Sequence, residues 1–168
     1  HIDIPVINYH LPDGTLALDK IPEFCREYEA KIERLGGFDF YLLGIGRNGH
    51  IGFNEPGSTI NSKTRLMTLD IATKIDASPD FGGLQKVPKK AITLGIDSIM
   101  KSKKIVLLAW GEHKASSVAK AVEGPVTSDI PASYLQLHPN ASFILDETAA
   151  SMLTRIKTPW VVDTVKWD

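Results

Sequence analysis

The stretch that most constrains the fold is Lys104–Trp110 (KIVLLAW), where six apolar residues follow one another without a polar break. A strand with one wet face alternates apolar and polar side chains. An unbroken run needs cover on both faces, as in a parallel sheet flanked by helices. The neighbouring segments keep that rhythm. Ala91–Leu94 reads as a strand, Ile96–Lys101 as a short helix, and His113–Glu123 as a helix ended by Gly124 and Pro125. Ser142–Leu145 is a further strand and Glu147–Leu153 a further helix. Strands alternating with helices of these lengths predict an α/β fold: three layers, a mostly parallel sheet, Rossmann-like.

The first half of the chain fits the same scheme. Ile21, Phe24, Cys25, Tyr28, Ile32 and Leu35 recur at helical spacing, with Pro22 near the start and Gly36-Gly37 as the stop. This predicts an amphipathic helix covering a sheet, with Cys25 as a small core residue. Phe38–Leu43 reads as a strand entering a turn at Gly44, Thr64–Leu69 as a short strand, and Asp76–Pro88 as a surface loop. No repeat or linker divides the 168 residues, so residues 1–168 are read as one α/β unit. The opening HIDIP without an initiator Met and the apolar close WVVDTVKWD lead us to expect a segment of a longer polypeptide.

Charge and composition exclude several functions. A net charge of -1 argues against a nucleic-acid partner. No apolar run reaches the ~18 residues of a membrane span. One cysteine cannot form an internal disulfide or a multi-cysteine zinc site. The absence of a secretory leader predicts a cytoplasmic location.

Ligands of open parallel sheets bind beyond the carboxyl ends of the strands, which directs attention to Gly44–Ser58, GIGRNGHIGFNEPGS. Gly44, Gly46 and Gly49 spell G-x-G-x-x-G, but that fingerprint needs a helix opening at once under a pyrophosphate. The following Gly52, Asn54, Pro56 and Gly57 break helices, and only Asp70 stands near the place of a ribose-binding acid. The stretch reads better as a rigid loop presenting Asn48, His50, Asn54 and Glu55. His50 can accept and donate a proton near neutral pH, and a carboxylate such as Glu55 can fix its tautomer. The bland alternative is a structural histidine beside a helix-capping glutamate.

This loop resembles the signature of the glucosamine-6-phosphate deaminase/isomerase family. The likeness runs from HIDIP to LQLHPNASFILDE, through VPKKAITLGI, WGEHKA and AVEGPVTSDIPASYLQLHP. The related 6-phosphogluconolactonases share a Gly-His loop there without the Phe-Asn-Glu-Pro continuation. The resemblance implies a carboxyl-side portion of such a domain, acting in amino-sugar catabolism. Its reaction opens the ring of an amino-sugar 6-phosphate, moves a proton between C2 and C1 and releases ammonia, with no metal or other cofactor. His50 falls on the ring-opening acid/base, Glu55 on its supporting carboxylate, and Asn48 where members carry Asp or Asn. Gly44 and Lys114 fall on substrate-binding positions, Lys114 on a lysine that binds the sugar phosphate. The implied partner is a small sugar phosphate, and an exposed sheet edge or face would favour a homo-oligomer.

The chain also departs from the family pattern. The Gly/Thr-rich phosphate loop and the proton-moving aspartate, which members carry before the HIDIP segment, do not occur, so this stretch by itself is expected to be inactive. Residues 76–83 (DASPDFGG) have Pro79 where many members have a phosphate-clamping arginine. Arg65 is kept but Met67 replaces the lysine of an allosteric phosphate site, so no such regulation is expected. Asn48 and Pro79 favour a second reading, a non-catalytic sugar-phosphate sensor on the same fold; a lactonase-like hydrolase is a third.

Overall fold

The computed structural model describes residues 3–154. His1, Ile2 and the apolar tail from Trp160 therefore lie outside the described residues. The elements are α1 (Ile21–Arg34), β1 (Tyr41–Gly44), β2 (Arg65–Thr68), α2 (Ile71–Ala77), β3 (Lys90–Thr93), α3 (Ile96–Met100), β4 (Ile105–Ala109), α4 (Ala115–Val122), β5 (Ala141–Leu145) and α5 (Glu147–Ala150). Short 3-10 turns at Glu112–Lys114 and Pro131–Leu137 complete the site side. No helix among the described residues is long and apolar enough to cross a membrane.

The KIVLLAW run forms the central strand β4, parallel to β1 on one side and β5 on the other. Its pairing puts Leu43, Leu107 and Phe143 in one row of one face, and Gly44, Leu108 and Ile144 in the next row of the other. The first face carries the core. Leu43, Ile105, Leu107 and Ala109 pack against Ile99, Val118, Ala121, Leu135 and Ala149, all buried.

The second face is uncovered in part. Leu42 and Ile144 are 56% and 58% exposed, and Trp110 just beyond β4 is 63% exposed. The α/β fold with its parallel sheet is as expected. Of the two helical layers implied by the run, the described residues supply one.

Several local expectations are corrected. β2 and β3 do not extend the parallel sheet; they form a separate antiparallel pair, Arg65 opposite Thr93. The helix α1 packs chiefly on β2, with Ile21 and Cys25 buried. The strand expected at Phe38 begins at Tyr41, and the helix expected from His113 begins at Ala115 after a 3-10 turn. The last helix stops at Ala150, short of Leu153. Finally, α2 occupies a place for which the sequence reading had no helix. Asp70 caps it, its side chain accepting from the Ala72 N–H, and the exposed loop starts only after Ala77.

Candidate active site

The segment leaving β1 stays free of helix until Ile71, which removes the dinucleotide reading. It folds instead as two tight turns. The Gly49 N–H donates to Gly46 O and the Gly46 N–H to His50 O, so residues 46–50 close on themselves. Gly49 has φ +84° and lies against Ile130, a place no side chain suits. The second turn is fixed by Asn54, fully buried. Its Nδ2 donates to Ile51 O and Leu94 O, and its Oδ1 accepts from Arg65 Nη1 at 2.9 Å. Arg65 also donates to Ser58 Oγ at 2.7 Å, so this arginine clamps the far side of the loop.

His50 and Glu55 are thereby brought together with Asn48. Asn48 Nδ2 donates to Glu55 Oε2 at 2.8 Å, and Asn48 Oδ1 lies 2.8 Å from His50 Nδ1. Glu55 Oε2 is 3.4 Å from the same nitrogen. Thr73 of α2 closes the ring: its hydroxyl donates to Glu55 Oε1 at 2.7 Å and lies 3.2 Å from His50 Nδ1. The Asp70 N–H donates to Glu55 Oε1 as well, so one carboxylate both holds the imidazole network and anchors the start of α2.

The network assigns the tautomer. Glu55 offers only acceptors, which turns the Asn48 amide so that its oxygen faces His50. Thr73 has given its proton to Glu55 and presents a lone pair. All three neighbours of Nδ1 are then acceptors, so Nδ1 carries the hydrogen and Nε2 keeps its lone pair. Among the described residues Nε2 makes no hydrogen bond. His138 shows the contrast: Nδ1 accepts from the Asn140 N–H, and Nε2 donates to Ser102 O, with no nitrogen left for chemistry.

Burial would push the Glu55 carboxyl up, but hydrogen bonds from His50, Thr73, Asn48 and the Asp70 N–H overcome it and hold it down at about 2. The group is therefore a permanent anion at neutral pH, as support for an imidazolium requires.

Gly46 must lack a side chain. A Cβ there would run into the His50 ring at Cε1, Nδ1 and Cγ. Since its φ is ordinary, the restriction is the imidazole itself. In the full-length protein we expect Gly46→Ala to displace the ring, lowering any turnover by at least ~10-fold and costing some stability through the imidazole hydrogen bonds it breaks. Steady-state kinetics beside thermal unfolding checks this; unchanged kcat would show that the imidazole position does not matter.

His50 opens onto a cavity of about 300 Å³ lined also by Gly44, Gly52, Thr73, Asp76 and Lys114. Lys114 stands at the end of the turn after β4, as the sequence places it. Burial pulls its ammonium down; Asp76 offsets part of this and Arg47 adds to it. A Cβ on Gly44 would meet open space, so glycine is not required there by packing. A larger groove of about 620 Å³ between α1 and β2 has mainly apolar walls and no histidine, and it lies away from this network.

Thr73, Arg47 and Asp76 are site residues that the sequence reading did not single out. Asp70 as a cap marks a helix starting at Ile71, but Ile71 and Ile75 are exposed and Thr73 lies on the opposite, buried face, so only the folded chain shows that it meets Glu55. Asp76, in the 76–83 stretch, has an ion-pair partner from the loop. Arg47 reaches across to Asp76, its Nε donating to Oδ2 at 2.9 Å and its Nη2 paired with Oδ1 at 2.5 Å.

Comparison with known proteins agrees with this architecture. Residues 1–144 match the family model described as glucosamine-6-phosphate isomerases/6-phosphogluconolactonase. The chain is 51% identical over all 168 residues to a glucosamine-6-phosphate deaminase-like protein of Bacteroides thetaiotaomicron, covering 25% of that protein. It is 46% identical over 153 residues to the glucosamine-6-phosphate deaminase of Thermoanaerobacter pseudethanolicus, covering 91% of this chain and 60% of the relative. A solved monomeric glucosamine-6-phosphate deaminase superposes with a TM-score of 0.87 at 44% identity, over 90% of this chain and 62% of the other. The chain thus spans between a quarter and about three fifths of these relatives. From its fold, its loop and these matches, the chain belongs to the glucosamine-6-phosphate isomerase/6-phosphogluconolactonase family.

Proposed function

We propose that the full-length protein carrying this chain converts an amino-sugar 6-phosphate and water to a ketose 6-phosphate and ammonia, with glucosamine 6-phosphate as the substrate to test. One observation carries the reading: an imidazole with a free Nε2, held by Asn48, Glu55 and Thr73, faces a cavity that also holds Lys114. In this reaction His50 takes the proton of the sugar's anomeric hydroxyl and returns one to the ring oxygen, opening the ring. Glu55 steadies the imidazolium between the two transfers through Asn48 and its own Oε2. Lys114 binds the phosphate, and Gly44 leaves space at the cavity mouth. The substrate is a charged metabolite that does not cross membranes, which favours a cytoplasmic enzyme. The test is ammonia release from glucosamine 6-phosphate by the full-length protein. Sugar-phosphate binding without release would assign a sensor instead.

Residues 1–168 are, in this reading, the carboxyl-side portion of a larger α/β domain. The exposed Leu42 and Ile144 and the greater length of the relatives support it. The isolated chain should then self-associate through the uncovered sheet face. Light scattering is expected to show dimers or larger species, and Leu42→Lys or Ile144→Lys to reduce them; a monomeric isolated chain would count against it.

A further inference from the structure

Two cations that take no part in the imidazole network stand at the His50 cavity, Lys114 in its wall and Arg47 bound to Asp76 of that wall. Lys114 lines the cavity, and among the described residues its ammonium has no hydrogen bond and no carboxylate within ion-pair distance. Arg47 is attached to the same wall through Asp76, which itself lines the cavity. The ion pair uses only one edge of the guanidinium, Nε with one Nη2 hydrogen. Three of the five N–H donors remain, and the Nη1–Nη2 edge matches two oxygens of a phosphate.

The charge balance of this corner also points to an anion. Arg47 and Lys114 together bring two positive charges against the single negative charge of Asp76, leaving an excess of one. Each cation raises the cost of the other, since Arg47 disfavours the protonated form of Lys114. A dianion placed between them relieves both. Asp76 also holds the arginine in one rotamer beforehand, so little side-chain entropy is lost when the ligand arrives.

We propose that Arg47, oriented by Asp76, and Lys114 form a two-cation cradle for the phosphate monoester of the substrate, in place of the arginine absent from residues 76–83. The proposal deepens the reading above and takes from it that the ligand is a sugar 6-phosphate. Lys114 serves as the point charge, and Arg47 supplies the bidentate contact that fixes the direction of the phosphate. With the phosphate held there, the other end of the sugar extends along the cavity toward His50.

The test uses the full-length protein, with inorganic phosphate as probe in titration calorimetry and glucosamine 6-phosphate in steady-state kinetics. Arg47→Ala is expected to weaken phosphate binding and to raise KM by about 10-fold or more, with a smaller change in kcat. Arg47→Lys should recover only part of this, because an ammonium cannot present two parallel N–H bonds while holding Asp76. Thermal unfolding of both variants should match the wild type, since the side chain is 43% exposed. Phosphate affinity unchanged in Arg47→Ala, full recovery by Arg47→Lys, or no phosphate binding by the wild type at millimolar concentration would overturn the cradle. Arg47-dependent phosphate binding without ammonia release would keep the cradle and remove the deaminase reading. Ammonia release indifferent to Arg47, with phosphate affinity also unchanged, would do the reverse.

Discussion

Replacing His50 with alanine in the full-length protein is expected to lower kcat for ammonia release from glucosamine 6-phosphate by at least ~10²-fold, the range of a positioned general acid–base. The imidazole is the one group at this cavity whose ordinary pKa lets it both take and give a proton near neutrality. Its Nδ1 faces three acceptors at 2.8–3.4 Å, which leaves Nε2 as the working nitrogen. Phosphate affinity should stay close to that of the wild type, because Lys114 and Arg47 are untouched. A fall in kcat without loss of phosphate binding separates chemistry from binding. Turnover that survives the substitution at near wild-type rate would sink the role given to His50.

Glu55→Gln is expected to lower kcat by ~10-fold to 10²-fold and also to destabilise the protein, because the carboxylate accepts hydrogen bonds from Asn48, Thr73 and the Asp70 N–H and also faces His50 Nδ1. An amide in its place turns an NH2 toward one or two of those donors and leaves buried groups unpaired, at a cost of about 1–3 kcal/mol. The pH dependence has a definite sign. The folded-state pKa of about 2 lies below the ~4.3 of an unfolded glutamate. The stabilisation is therefore fully present above ~4.3 and is lost as pH falls from there through about 2. Thermal unfolding from pH 7 to 2.5 should show the wild-type midpoint falling mainly in that window. Glu55→Gln should start lower and fall less within it. Parallel curves for the two proteins would mean that the carboxylate is not held as described.

Glu55 remains ionised through the range in which an imidazole titrates, so any loss of rate between pH 5 and 8 in the wild type belongs to groups other than Glu55.

What the sequence determined by itself was whatever depends on neighbours along the chain. The unbroken KIVLLAW run fixed a strand needing cover on both faces, hence the α/β class. The glycines and prolines of GIGRNGHIGFNEPGS fixed a non-helical loop at a strand's carboxyl end, and with it the prominence of His50 and Glu55. Lys114 was placed after its strand by the same local logic. The tertiary structure alone decided what depends on contacts between distant segments. Sequence spacing could not show that Thr64–Leu69 and Ala91–Leu94 pair with each other and leave the parallel sheet. Their apolar residues suit either partner, and the choice is made by which backbone lies alongside. Thr73 joins the network only because the Glu55 carboxylate, 18 residues earlier, anchors α2 at Asp70. Arg47 pairs with Asp76 only because the loop turns back toward it, 29 residues on. A charge can be supplied from any strand end that folds to the same corner, and that is a property of the fold in space, which no local pattern records.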